Sequence, residues 1–284
     1  MSYSPYQSFE GRFDYVCPNC KGELELRRGT LLCFPCHASY PIINGIPDFI
    51  LEDFSRSAHP VFRRLWAFDL LAPVYESLFW YNLFINLVGG LGSTSQRKLV
   101  RNITKMVHID EGNILDVACG PGILSRHIAS PSVFVHGIDA SMGMLRKGVR
   151  YTRRDQIQNM QFARARAEQL PFMDTFFDAA ICGGALHLFR DTPLALREIG
   201  RTMKEGAPLA VTTLVTGKKG ILRFASIRRH AEQHHGTRVF EIDELDQYLS
   251  KVGFGRFESK MYGSLLLFRA QRARGTGYRK EDMA

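Results

Sequence analysis

Asn113-Ile-Leu-Asp-Val-Ala-Cys-Gly-Pro-Gly122 is the stretch on which the fold turns. It begins as a short apolar strand, runs into a glycine-rich turn and gives way to a helix near Ile123. Gly120 and Gly122 let the backbone come close to a ligand at the carboxyl end of a strand, where open α/β sheets bind their ligands. A dinucleotide site shares that pattern. Asp116 separates the two, because a carboxylate at the end of the first strand repels a pyrophosphate but suits a ligand carrying an ammonium group, directly or through water. At roughly the 20-residue spacing expected of the next strand, Val133-Phe-Val-His-Gly-Ile-Asp139 also ends in an acid. A carboxylate there can accept both ribose hydroxyls of a nucleoside.

Together these blocks resemble the class I S-adenosylmethionine-dependent methyltransferases, in particular the type 11 group that includes the quinone-biosynthesis C-methyltransferases. Asp139-Ala-Ser-Met-Gly-Met-Leu145, Ala167-Glu-Gln-Leu-Pro-Phe172 and Phe177-Asp178 continue the likeness. The resemblance implies an α/β fold, a Rossmann-like seven-stranded doubly wound sheet over residues 105–272, with S-adenosyl-L-methionine as cofactor. It implies that Asp116 and the backbone at Ala118, Gly120 and Gly122 hold the methionine end. Asp139, followed by Ala140, takes the ribose; Met142 (or Ser141) covers the adenine; Ala167 offers it a backbone N–H; Glu168 and Cys182 complete the cofactor set. One position departs from the family. Where an aspartate usually accepts from the adenine amino group, this chain has Arg166. Arginine cannot accept a hydrogen bond, so either Glu168 substitutes or adenine is held more weakly.

The later pattern fits such a sheet. Asp178 to Cys182 reads as a buried strand; Thr192-Pro193 caps and begins a helix to Lys204, with Gly206 as its stop. Leu209 to Val215 reads as a strand, Ile242 to Val252 as a helix, and Phe254 to Met261 with Leu265 to Gln271 as a closing hairpin around Tyr262-Gly263.

Methyl transfer from a sulfonium is an in-line displacement in which the cofactor carries the activation and the protein supplies alignment, desolvation and sometimes a base. Enzymes that methylate exocyclic base amines or glutamine amides usually carry Asn or Asp, then Pro-Pro and an aromatic residue, after the fourth strand. Here the chain reads Cys182-Gly-Gly-Ala-Leu-His187, which argues against that chemistry. His187 is a candidate base near neutral pH, with packing or cofactor shielding as the other reading. Tyr75, in Ala72-Pro-Val-Tyr-Glu76, resembles the Ala-x-x-Tyr-Asp element of small-molecule members, whose ring closes over the site; simple core packing is its alternative. His230 and His234 would share a helix face, but with no completing ligand set a solvated lid helix within Thr216 to Val239 is the better reading.

Upstream, Cys17-Pro-Asn-Cys20 and Cys33-Phe-Pro-Cys36 form two CxxC knuckles, the spacing of four thiolates closing around a structural zinc. His37 offers a substitute for Cys36. The following Tyr40-Pro-Ile-Ile-Asn-Gly-Ile-Pro-Asp-Phe49 resembles the zinc-ribbon family of small methyltransferase-activator subunits, which implies a ribbon that covers or steadies a methyltransferase, fused here in cis. The expected organisation is therefore a ribbon at 1–52, a helical cap or linker at 53–104, the methyltransferase domain at 105–272 and a basic tail at 273–284.

The 284 residues carry a net charge of +9, but their basic residues are scattered, so a solvated surface is favoured over a polyanion site. No secretory signal is visible at the start, which points to a cytoplasmic protein with reduced thiols. Leu65 to Leu91 is interrupted by Asp69, Glu76, Asn82 and Asn86 and does not read as a membrane span. Phe79, Trp80, Tyr81 and Phe84 within its uncharged end suit a lipid interface or an apolar substrate, so the expected acceptor is a small quinone, prenyl or lipid-like molecule methylated at O or C, with peripheral membrane contact. Two rivals remain: an rRNA guanine methyltransferase, because bacterial members also carry a zinc ribbon with a Cys-x3-His knuckle, and a non-catalytic cofactor- or partner-binding protein. The sequence does not give the oligomeric state.

Overall fold

A computed structural model describes residues 14–51 and 78–275. The first segment is a four-stranded antiparallel ribbon of β1 (Leu24–Arg27), β2 (Thr30–Cys33), β3 (Ser39–Ile43) and β4 (Ile46–Pro47). Two-residue turns close two of its hairpins, pairing Arg27 with Thr30 and Ile43 with Ile46. Both residues of each turn, Arg28-Gly29 and Asn44-Gly45, have positive φ, the backbone that matches the twist of tightly paired strands.

The second segment begins with helices α1 (Leu78–Gly89) and α2 (Gln96–Met106), the latter capped by the Ser95 hydroxyl accepting from Lys98 N. Then β5 (Gly112–Val117), α3 (Ile123–Ile128), β6 (Val133–Asp139), α4 (Met142–Arg154), β7 (Met160–Arg164), β8 (Ala179–Gly183), α5 (Thr192–Thr202), β9 (Pro208–Leu214), α6 (Ala225–His235), α7 (Ile242–Lys251), β10 (Phe254–Tyr262) and β11 (Leu265–Arg272) follow. They build one seven-stranded sheet in the order β10-β11-β9-β8-β5-β6-β7. Strands β5 to β9 are parallel, and β11 enters antiparallel between β9 and β10. This is the Rossmann-like sheet that the sequence predicts.

Alternation along the strands sends side chains to two cores. Ile114, Val133, Val135, Ala179 and Ile181 face α1 and α2, with Leu99, Ile103 and Val107. Leu115, Val117, Ile138, Ala180 and Cys182 face the other way, toward Leu196 and Ile199 of α5 and Leu245 and Leu249 of α7. On this second face the connection between β7 and β8, residues 165–178, contains no helix. The ribbon fills the space. Its Tyr15 and Phe49 pack on one another at 5.3 Å between ring centroids, Tyr15 meets Phe172 at 5.4 Å, and Tyr40 meets Phe49 at 5.2 Å. Phe49 N donates to Arg164 O at 2.8 Å, so the ribbon also covers the free edge of β7. Phe172, Phe176 and Phe177 close around a buried His136, whose Nε2 lies 3.3 Å from Asn113 Oδ1.

Two local expectations need correction. The cap of α5 is Asp191, whose carboxylate accepts from Leu194 N at 2.9 Å, rather than Thr192; Pro193 sits inside the first turn. The same helix ends at Thr202, not Lys204, because Met203 leaves it to bridge Phe177 and Lys204 N donates to Phe177 O. Among the described residues no helix is long and apolar enough to cross a membrane.

Candidate cofactor site

The turn after β5 is shaped by three left-handed residues, Ala118 (φ 55°), Gly120 (φ 55°) and Gly122 (φ 79°). At 122 the positive φ favours glycine, and a Cβ there would also displace the Met160 methyl at 2.8 Å. Cys119 N donates to Ile138 O at 2.9 Å, carrying the β5–β6 pairing one step past the strand. Asp139, at the end of β6, is fixed from both sides: Gly120 N donates to its Oδ2 and Ser141 N to its Oδ1, each at 2.8 Å. A carboxylate has about four acceptor positions, so hydroxyl donors can still approach each oxygen.

A pocket opens at this edge of the sheet. Ala118, Gly120, Asp139, Ala140, Ala167 and Glu168 line it, all expected from sequence, together with Arg166. Ser141 and Met144 line it too, whereas Met142 lies off the wall. Gly122 and Cys182 also sit behind the lining. The sequence reading missed Ile138, Ala165, Gly183, Gly184, Ala185, Leu188 and Phe189. Most of these follow from strand alternation or lie directly after β8, where ligands collect in such sheets.

Asp116 is not on the wall. It is 1% exposed, inside β5, and its Oδ2 accepts from Ser125 Oγ of α3 at 2.5 Å. Its Oδ1 has no hydrogen-bond partner. Burial pushes its pKa up to about 7, the Ser125 bond pulling down and the Asp139 charge pushing further up. An anchored carboxylate with acceptor positions to spare on the pocket wall suits the hydroxyls of a nucleoside, and a second carboxylate behind the glycine turn suits a cationic one through its charge.

Glu168 is already engaged: its Oε1 accepts from Arg190 N at 3.0 Å and Asp191 N at 3.4 Å, and its Oε2 lies 3.9 Å from Arg166 Nε. It thus braces the approach to α5 against the pocket wall. His187 lies in a short 3-10 turn, Leu186–Leu188, and is 5% exposed. Burial lowers its pKa to about 4. Tyr75 and most of the aromatic stretch from Phe62 to Phe84 fall outside the described residues or side chains.

Away from the pocket, one ligand atom from each of Cys17, Cys20, Cys33 and Cys36 lies within 4.8 Å of the others, a set that can hold a metal ion. Cys36 and not His37 joins it. No such set among the described residues includes His230 and His234, whose rings lie 4.6 Å apart. The ribbon and the pocket are joined through one residue. Arg164 gives Nη1 to Asp48 Oδ2 of the ribbon and Nε to the carbonyl of Ala140 on the pocket wall, both at 2.9 Å. Lys21 extends the same seam, donating to Glu198 Oε2 at 3.1 Å.

Residues 114–206 match a family described as a methyltransferase domain. An uncharacterized chloroplastic methyltransferase of Arabidopsis thaliana is 23% identical over 91% of this chain and 78% of its own length. A demethylmenaquinone methyltransferase of Porphyromonas gingivalis is 38% identical over 36% of this chain and 43% of its own, so the chain spans less than half of that relative. Among solved structures, a chain from the Haloferax volcanii complex between the Trm112 methyltransferase activator and a methyltransferase superposes with a TM-score of 0.56. Its identity is 15%, covering 73% of this chain and 98% of that one, which is a likeness of fold.

Proposed function

We propose that this chain, which carries a class I S-adenosylmethionine-dependent methyltransferase domain, methylates a small apolar acceptor of the quinone, prenyl or lipid-like class at C or O. The observation that carries this is the wall beyond β8: Gly183, Gly184, Ala185, Leu188 and Phe189 offer backbone, methyl, aliphatic and aromatic surface, with no side-chain carboxylate or amide to select an amine. The partial likeness to demethylmenaquinone methyltransferases supports the same class.

When bound, the cofactor supplies a methyl group activated on a sulfonium. Asp139 would hold the ribose hydroxyls in the position that Gly120 N and Ser141 N have fixed for its carboxylate. The Ala118–Gly122 turn would admit the methionine end, with Asp116 beneath it supplying negative charge. Met144, Leu188 and Phe189 would keep water off the transfer path. Burial keeps His187 neutral down to about pH 4, so it is a weak base at neutrality and serves as a packing residue behind the wall. The four cysteines would hold zinc as four thiolates with no position left for water, a structural role.

The rRNA reading loses the Cys-x3-His knuckle it shares with the bacterial enzymes, because Cys36 and not His37 joins the cysteine cluster. The deciding experiment incubates the full chain with methyl-labelled cofactor and three acceptor pools: reduced quinones, a lipid extract and structured RNA. Labelled quinol or lipid, absent with Asp139→Ala, is the expected result. Label only in RNA overturns the acceptor class, and no label in any pool with cofactor bound favours a binding protein.

A further inference from the structure

The substrate-side cover of the molecule carries an exposed apolar face with a cationic rim. Leu83 and Leu87 stand one turn apart on α1 and are 45% and 47% exposed, and Leu91, just past its end, is 95% exposed. Facing them across a shallow groove are Ile221 and Phe224, the latter 48% exposed at the start of α6. Scattered single leucines on a surface need no explanation, but a contiguous group does.

The rim is basic. Lys218, Lys219, Arg223 and Arg229 are exposed, and Glu232 is the only acid from Thr216 to His235. None of these four cations makes an ion pair among the described residues; Arg223 instead lies over the Phe224 ring at 4.5 Å. This face is held firmly to the sheet. Ser264 N donates to Val88 O at 3.3 Å, and Ser264 Oγ to Lys219 O at 3.1 Å. Gly220 and Gly263, both with positive φ, leave no room for a Cβ against the backbone of Val88 and Gly89. The loop follows β9 and the Tyr262–Ser264 turn leads into β11, whose Leu265 pairs with Leu214. The face therefore sits at the carboxyl edge of the parallel strands, the edge on which the cofactor pocket opens.

We infer that this face docks the protein on an anionic lipid bilayer, with the leucines and Phe224 entering the headgroup region and Lys218, Lys219 and Arg223 against the lipid charge. Rigid apolar residues ringed by lysine and arginine are the chemistry of an interfacial contact. The inference rests on the acceptor reading above, since a lipid-soluble acceptor reaches the pocket from the membrane plane, and it names the partner that reading lacks.

Vesicle flotation of the full chain tests it, comparing phosphatidylcholine alone with phosphatidylcholine containing phosphatidylglycerol. The parent is expected to float with the anionic vesicles and to be released by salt. Lys218→Gln with Lys219→Gln lowers partitioning about tenfold or more, and Leu87→Ser with Leu91→Ser lowers it at low salt as well. Cofactor affinity stays at the parental value in both variants, which shows that they are folded. Absence of flotation, or equal flotation of parent and variants, overturns the docking, as does self-association that Leu87→Ser abolishes. RNA binding that depends on Lys218 and Lys219 without vesicle binding overturns it also. Quinol methylation in detergent without flotation sinks the docking alone, whereas flotation without methylation of any apolar acceptor sinks the acceptor class alone.

Discussion

At the scale of single residues, three buried groups dictate how stability responds to acid. His136 and His187 have pKa values lowered by burial to about 3 and about 4. As pH falls below the ordinary histidine value, the unfolded chain binds two protons that the folded one refuses, so stability drops. Asp116 works in the opposite sense. Burial raises it to about 7, so over the same window the folded chain holds one proton more than the unfolded, and stability rises as pH falls. The three together leave a net loss of about one proton's worth, roughly 1.4 kcal/mol per pH unit between about pH 6 and pH 4. Urea unfolding across that window should show this slope, and His187→Gln should flatten it. Asp116→Asn removes the cost of ionising a buried carboxyl, so the variant is expected to unfold at higher urea than the parent at pH 8, while binding cofactor at least about tenfold less tightly. An unchanged affinity, read by calorimetry, would remove Asp116 from the cofactor site. The sequence marked Asp116 as chemically important but not as buried: a strand's carboxylate reads the same whether it faces a pocket or the helix behind it, and only the bond to Ser125 decides.

At the scale of elements, the ribbon is joined to the sheet by a shared core and by the Asp48–Arg164–Ala140 link. Asp48→Ala leaves a largely buried guanidinium without its carboxylate, costing about 2 kcal/mol, less than a fully buried break because Arg164 keeps some water. It should also loosen the Ala140 turn, so cofactor affinity should fall several-fold although Asp48 touches no cofactor; chemical unfolding and calorimetry on one variant read both effects. Cys33→Ser should abolish the zinc uptake proposed for the four cysteines, read by elemental analysis, and lower Tm by roughly 10 °C, because Tyr15, Tyr40 and Phe49 of the same ribbon pack into the common core. The knuckles were legible here, because the two CxxC pairs act through chemistry internal to the segment, whereas the Asn44-Gly45 turn that pairs Ile43 with Ile46 was not read. That the ribbon would cover the methyltransferase domain was implied by its family likeness, but the place was not, because the absence of a helix between β7 and β8 gives no sequence signal that the ribbon must cover Phe172 and His136.

At the scale of the whole molecule, the parallel sheet and the edge on which the pocket opens were readable from two acid-ended strands and one glycine turn, which act over short distances. The acceptor side was less so. Leu188 and Phe189 enter the pocket because a 3-10 turn rotates them in while burying His187, and a one-residue rotation in a loop leaves no periodicity to read. A cofactor pocket, a ribbon with four clustered cysteines and an apolar, basic-rimmed face share a single scaffold, and the proposed function depends on the pocket binding a sulfonium nucleoside through Asp139. Isothermal titration of the intact chain with S-adenosyl-L-methionine, beside Asp139→Ala checked for native stability, tests this most directly. Saturable one-to-one binding by the parent and an affinity at least about a hundredfold weaker in the variant are expected. No binding by the parent, or equal binding by both, would contradict it.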